Sequence, residues 1–192
     1  LIISTIVVYR QLHYMQHKEL GFEKSQELVI NDSYLLGANE KAFTEELLKD
    51  NRVVMGTISR DVPIASENID GTQAFAKENL SSENRSEIHI NKYHVDKDYI
   101  PTLGIQMKAG RNFSPEFSTD SNAVILNETA VKAFGITGDP LGKSIVCSGQ
   151  EEYKIIGVTK DFHYTSVKEA IAPLVFMLGR NRGGIILKVN SN

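Results

Sequence analysis

Residues 122–145, NAVILNETAVKAFGITGDPLGKSI, decide the fold of this chain. The first five read as a short apolar strand. Asn127 then stands where a helix N-cap belongs, and Glu128 falls in the first turn, where the helix dipole favours an acid. The helix runs to Phe134, and Gly135 follows its end. Asp139-Pro140-Leu141-Gly142 next puts Asp, Pro and Gly at the first, second and fourth positions of a type I turn. Strands at 143–147 and 153–158 follow it as a hairpin.

The same stretch holds a false lead. Gly142-Lys143-Ser144 ends like a phosphate-binding loop, but that pattern needs a glycine five residues before Gly142. Thr137 is there instead, and Gly138 lies one residue too close. The stretch also follows a helix and a proline turn, where a phosphate loop follows a strand and opens a helix. A turn leading into a strand is the better reading.

Outward from this centre, 98–103 reads as a short helix with Pro101 in its first turn and Gly104 at its end. Residues 105–109 read as a strand that stops at the Gly110-Arg111 turn. Residues 86–95 alternate, with Ile88, Ile90 and Tyr93 marking another strand. Toward the N-terminus, 27–31 and 52–59 read as strands. Between them lie a loop around Gly37 and a helix from Asn39 to about residue 50, with Phe43, Leu47 and Leu48 on its apolar side. Residues 60–86 are rich in Asn, Ser and Glu with weak periodicity, and read as an irregular excursion with a short helix at 73–79. Strands at 173–178 and 184–189 complete an α+β pattern, with a second lobe inserted between roughly 60 and 150.

The chain opens LIISTIVVYRQLHYMQHKELGF. Eight or nine apolar residues are too few for a bilayer span, which needs about 20. A signal peptide would carry a basic region before the apolar run and small residues after it. Helical spacing instead links Val8, Leu12 and Met15, then Glu19 or Phe22. Gly21 suits the position after a helix end, and Lys18 its last turn. Residues 1–20 therefore read as one helix. It is either the outer end of a transmembrane helix leaving the bilayer as a stalk, or a soluble helix with a buried first half.

The 192 residues suffice for a real core, and a formal charge of -3 without a basic face argues against nucleic-acid binding. Cys147 is the single cysteine, so an intrachain disulfide and a CxxC site are both excluded. The start on Leu1 rather than methionine, and the stop just after an apparent strand, read as an excised piece of something longer. His13 and His17 have the spacing of a zinc helix, yet the glutamate of HExxH is missing and no third ligand is near. Asp161 and His163 could form the orienting half of a triad, but no serine or cysteine stands in a nucleophile elbow. The pairs Glu45-Glu46, Glu151-Glu152 and Asp96 with Asp98 read as solvated surface. No catalytic residue, cofactor or metal site is expected.

Three segments in order, DYIPTLGIQMKAGRNF, NAVILNETAVKAFGITGDPLGKSI and IIGVTKDFHYTSVKEAIAPLVF, resemble the extracytoplasmic core domain of MacB/FtsX-type ABC transporter permeases. The likeness is strongest to permeases with two such domains per chain. The opening resembles that family's first transmembrane helix leaving the membrane. The motif residues are Gly104, Gly110, Arg111, Asn127, Glu128, Asp139, Pro140, Gly142, Asp161 and Phe162, and all of them shape the fold.

The resemblance implies a two-lobed α+β domain preceded by a stalk helix at 1–20. A porter-like lobe would take 21–59 and 151–192, and the inserted lobe 60–150. That lobe normally gains a further helix and strand, so its sheet edge is expected to be open here. The implied protein is not an enzyme. It is anchored in the inner membrane with this domain in the periplasm, pairs with a second permease copy, and is driven by a cytoplasmic ATPase subunit, with periplasmic partner proteins beyond. Its implied role is mechanical, with Val8, Leu12, Met15, Leu20 and Phe22 as stalk and coupling positions. The alternative is a domain that captures a peptide, lipid or antibiotic in the cleft between lobes.

Overall fold

The computed structural model describes residues 4–7, 9–10, 27–63, 70–77, 87–147, 151–165, 169–179 and 183–190. The stalk and coupling positions Val8, Leu12, Met15, Leu20 and Phe22 lie outside these residues, as do His13 and His17.

Two sheets organise the described chain. The smaller has the order β1-β10-β2, from Glu27–Asn31, Gly184–Val189 and Val53–Ile58, with both pairings antiparallel. Between β1 and β2 come a 3-10 segment at Ser33–Asn39 and helix α1 at Glu40–Leu47. Asn39 gives α1 no side-chain cap. Ser33 instead donates to the buried Glu40 carboxylate at 2.6 Å.

The larger sheet contains β3 (Gly71–Ala76), β4 (Ile88–Val95), β5 (Met107–Gly110), β6 (Ala123–Asn127), β7 (Ser144–Cys147), β8 (Glu152–Thr159) and β9 (Leu174–Leu178). Its order is β5-β8-β6-β9-β4-β3-β7, and β7 also pairs with β8. Six strands therefore close into a ring, with β5 added on β8 beyond β7. Closure removes the ring's free edges. Helix α2 (Tyr99–Thr102) follows β4, and α3 (Glu128–Ala133) follows β6.

Alternation along the strands sorts the core into two clusters. Ala74, Ile90, Val124, Leu126, Ile145, Cys147, Ile155, Val175 and Met177 come from all six ring strands and fill its interior, joined by Ala130 and Phe134 of α3. The opposite faces of β4, β6 and β9 carry Tyr93, Val95, Ile125, Leu174 and Phe176, which pack with Tyr99, Phe162, Tyr164 and Ile186. Tyr93 meets the rings of Tyr99, Tyr164 and Phe176 edge-on at 6.3, 5.7 and 6.2 Å. Ile186 lies on β10, so the small sheet is fastened to the outside of the ring by a shared core.

Two expectations are corrected here. Residues 73–79 were expected to be helical, but Gly71–Ala76 is a strand paired with both β4 and β7. Its weak local pattern is overridden by tertiary pairing, and Ala74 and Ala76 are small residues that fit the crowded ring interior. A division at 150 was also expected, with 151–192 in the porter-like lobe. The strands at 152–159 and 174–178 instead belong to the ring, and of the C-terminal part only β10 joins the small sheet. The cause is pairing between β8 and β6, which a hairpin reading of β7 and β8 does not reveal.

Candidate functional site

Where the small sheet meets the ring, a cleft of about 580 Å3 opens between α1, the outer side of β2 and the start of α2. Leu48, Gly56 and Ile58 form apolar parts of its wall, and Asp96, Asp98 and Gly179 face them from the ring side. Asp96 braces the junction. Its carboxylate accepts from Thr57 Oγ1 at 2.7 Å, from the Ile58 amide at 3.3 Å and from the Asp98 amide at 2.9 Å. The expectation that Asp96 and Asp98 are plain solvated surface is therefore wrong for Asp96. A bond between residues 39 apart in sequence leaves no local signal.

The cleft also explains Gly56. A Cβ there would stand 2.7 Å from Leu187 Cδ2 and 3.1 Å from Leu48 Cδ2. The bare backbone lets the residue after α1 settle on the sheet, so the cleft's helical wall sits close to its floor.

The family-motif residues form three braces away from the cleft. In the first, Asn127 caps α3 by accepting from the Ala130 amide at 2.9 Å. The same oxygen accepts from the Leu174 amide at 2.9 Å, and the Asn127 amide donates to the Ala172 carbonyl at 3.0 Å. One buried side chain thus ties β6, α3 and β9 together.

The second joins the start of α3 to the end of β8. Asp161 accepts from the Thr129 amide at 2.9 Å and from Thr129 Oγ1 at 2.8 Å, and Glu128 accepts from the Asp161 amide at 3.1 Å. Lys108 also bonds Glu128; that bond, helped by the Asp161 amide, holds the Glu128 carboxyl below its usual range. Both Asp161 oxygens are engaged by Thr129, so they hold a helix start rather than orient a histidine. Phe162 follows and is buried, stacked on Phe176 at 6.1 Å.

In the third, Arg111 donates to both oxygens of buried Asp120, at 2.6 and 2.8 Å, and its guanidinium lies 3.9 Å from the Phe117 ring centre. Asp120 also accepts from the Ser114 amide at 2.9 Å. These bonds, chiefly the one from Arg111, hold its carboxyl below the ordinary value against the opposing effect of burial. Gly110 precedes this brace with φ +71°, and a Cβ there would meet the Ile156 carbonyl oxygen at 2.2 Å. Gly157 is its partner, since a Cβ there would meet the Arg111 oxygen at 2.4 Å. Gly157 is a fold residue that sequence reasoning missed. The remaining motif residues shape turns: Gly104 has φ +62° after α2, Asp139 accepts from the Leu141 amide at 3.0 Å beside Pro140, and Gly142 has φ +80°.

Among the described residues, no group of three or more His, Cys, Asp or Glu is placed to hold a metal ion. Cys147 is buried, and that burial pushes its thiol up to about 11.

Three solved structures share this fold. The periplasmic region of MacB from Actinobacillus actinomycetemcomitans aligns with a TM-score of 0.58 at 16% identity, over 90% of this chain and 78% of that one. The extracellular domain of the noncanonic ABC-type transporter YknZ from Gram-positive bacteria aligns at 0.53 and 15% identity, over 79% and 73%. A domain of a putative permease from Porphyromonas gingivalis aligns at 0.50 and 13% identity, over 77% and 67%.

The chain belongs to the MacB-like periplasmic core domain family, whose model matches residues 7–192. A macrolide export ATP-binding/permease protein MacB from Aggregatibacter actinomycetemcomitans is 32% identical over 79 residues. The aligned part is 41% of this chain and spans only 12% of that relative. The chain is thus a MacB-like periplasmic core domain. No helix among the described residues is long and apolar enough to cross a membrane.

Proposed function

We propose that this domain is a non-catalytic mechanical element, which carries ATP-driven motion of the stalk helix from an inner-membrane permease into the periplasm. The observation that supports this best is the shared core. Strand β1 pairs with β10, and Ile186 of β10 sits among Tyr93, Tyr99 and Phe176 outside the ring. Close-packed interiors transmit displacement rather than absorb it, so motion delivered to β1 moves the ring as well. The Asp96 brace adds a polar fastening at β2. In this reading the permease works as a dimer with a cytoplasmic ATPase, and Val8, Leu12 and Met15 form the stalk stripe.

The test uses the full-length permease with its ATPase. Spin labels on the rings of the two copies should change separation between nucleotide-free and nucleotide-trapped states. Serine at Val8, Leu12 and Met15 together should abolish that change while ATP hydrolysis continues. An unchanged separation in the unaltered complex defeats the mechanical reading.

A second reading is favoured by the cleft itself. At about 580 Å3, with Leu48, Gly56 and Ile58 on one wall and Asp96 and Asp98 on the other, it falls within the usual size of ligand sites. In this reading the domain captures a ligand between the small sheet and the ring.

A further inference from the structure

Register places Val29, Ile186 and Thr57 in a single cross-strand row of the small sheet. Val29 and Ile186 pack into the aromatic core outside the ring. Thr57, buried at the β2 end of the row, is polar, and its hydroxyl goes to Asp96.

Residues 96–98 join β4 to α2, and the turn they make gathers polar contacts from both bodies. On the sheet side, Asp96 accepts from Thr57 Oγ1 at 2.7 Å and from the Ile58 amide at 3.3 Å. Tyr99 Oη donates to the Asp61 carbonyl at 2.5 Å, just past the end of β2. On the ring side, the turn continues β4, which is paired with both β3 and β9. The Lys97 carbonyl also accepts from Asn112 Nδ2 at 2.8 Å, beside the Arg111 brace. The Tyr99 ring meets those of Tyr93 and Phe176 at 6.3 and 6.0 Å.

The two kinds of contact answer motion differently. Apolar packing resists separation but is non-directional, so a sheet resting on Val29 and Ile186 alone can pivot about that row. Hydrogen bonds fix direction as well as distance. Three of them, from residues 57, 58 and 61 to Asp96 and Tyr99, lock the β2 end of the row.

We propose that the 96–99 turn is the coupling clasp of the domain. Tilt of the small sheet enters the ring through Asp96 and Tyr99 at the end of β4, and the apolar row acts as the pivot. The clasp sets how faithfully one body follows the other, not how stable either is by itself. This deepens the mechanical reading and rests on it.

The first measurement uses the 192-residue chain with spin labels at Leu28→Cys on β1 and Lys132→Cys on α3, both exposed positions, while buried Cys147 stays unlabelled. Asp96→Ala combined with Tyr99→Phe should broaden the distance distribution at least about twofold. Asp96→Asn, which keeps an acceptor for Thr57, should leave it narrow. Gly138→Ala strains a turn outside the clasp and should also leave it narrow. The second measurement uses the full-length permease with its ATPase. There the double variant should lose at least about half of the nucleotide-dependent change in ring separation while ATP hydrolysis continues. Should the double variant fail to fold, Thr57→Val carries both measurements, because it removes the Asp96 bond and keeps nearly the same shape.

A distribution as narrow in the variants as in the unaltered chain overturns the clasp. So does equal broadening by Gly138→Ala, which would make stability rather than the turn the cause. A separation change that persists in full in the variants overturns the clasp too, and leaves the mechanical reading standing on the apolar row. No separation change in the unaltered complex overturns both.

Discussion

Replacing Asn127 by alanine should be the most damaging single change of a polar side chain in the ring. The side chain is fully buried and makes three hydrogen bonds, two accepted by Oδ1 and one donated to Ala172. Alanine leaves the Ala130 and Leu174 amides and the Ala172 carbonyl unpaired. Each buried group stripped of its partner costs about 1–3 kcal/mol. Relaxation of the α3 start recovers part of this, since an N-cap alone is worth about 1 kcal/mol. A net loss of about 3–5 kcal/mol is expected, from a total stability of about 5–15 kcal/mol for a typical domain. For a chain of this length that lowers the melting temperature by about 8–15 °C.

Urea unfolding followed by far-ultraviolet dichroism measures the loss, with the slope unchanged if the unfolded state is unaffected. Asn127→Asp refines it. An aspartate keeps the acceptor for Ala130 and Leu174 but sets an oxygen against the Ala172 carbonyl, so it should stay well below the unaltered chain. A loss under about 1 kcal/mol for Asn127→Ala would refute the claim that one side chain fastens β6, α3 and β9.

Three more expectations follow from the braces and the core. Gly110→Ala should destabilise far more than Gly138→Ala, although both glycines have φ near +70°: the added Cβ meets the Ile156 oxygen at 2.2 Å in one case and nothing within 4 Å in the other. Thermal melts of the two variants compare them, and Gly138→Ala should show only backbone strain of about 1–2 kcal/mol. Asp120 and Glu128 have carboxyls held below their unfolded values, so below about pH 4 the unfolded chain binds more protons than the folded one. Their stabilisation is full above that pH and lost as pH falls through the folded values; Asp120→Asn should flatten this acid limb in unfolding curves from pH 5 down to about 2.5. Cys147, with its thiol raised to about 11, should resist a thiol reagent at pH 8 in the folded chain and react once urea unfolds it.

What the sequence reveals here is the local part of the fold. Strand β6, its Asn127 cap, helix α3 and the Asp139-Pro140 turn are readable because each depends on residues within a few positions. The P-loop-like Gly142-Lys143-Ser144 is rejected for the same reason, and Lys143 in fact donates to the Thr137 carbonyl at 2.8 Å, in a turn ahead of β7. What escapes is pairing at a distance. Nothing near Gln73 says that it lies opposite His89, and nothing near Ile155 says that its strand joins β6. The cleft escapes for the same reason: Thr57 and Asp96 become neighbours only once the ring is built. Gly157 is legible only beside Gly110, its partner across β5 and β8.

The pairing of β2 with β10 carries a consequence for how such a chain can change over generations. The chain leaves the small sheet after Ile58 and returns at Gly184, and Ser59 and Gly184 are hydrogen-bonded neighbours. Departure and return share one doorway, so the sheet could in principle be closed there by a short turn. The ring is in that sense a guest on a host that keeps its own register. Lengthening, trimming or exchanging the guest need disturb the host chiefly where Ile186 and Val29 pack on it and where Asp96 bonds Thr57 and Ile58.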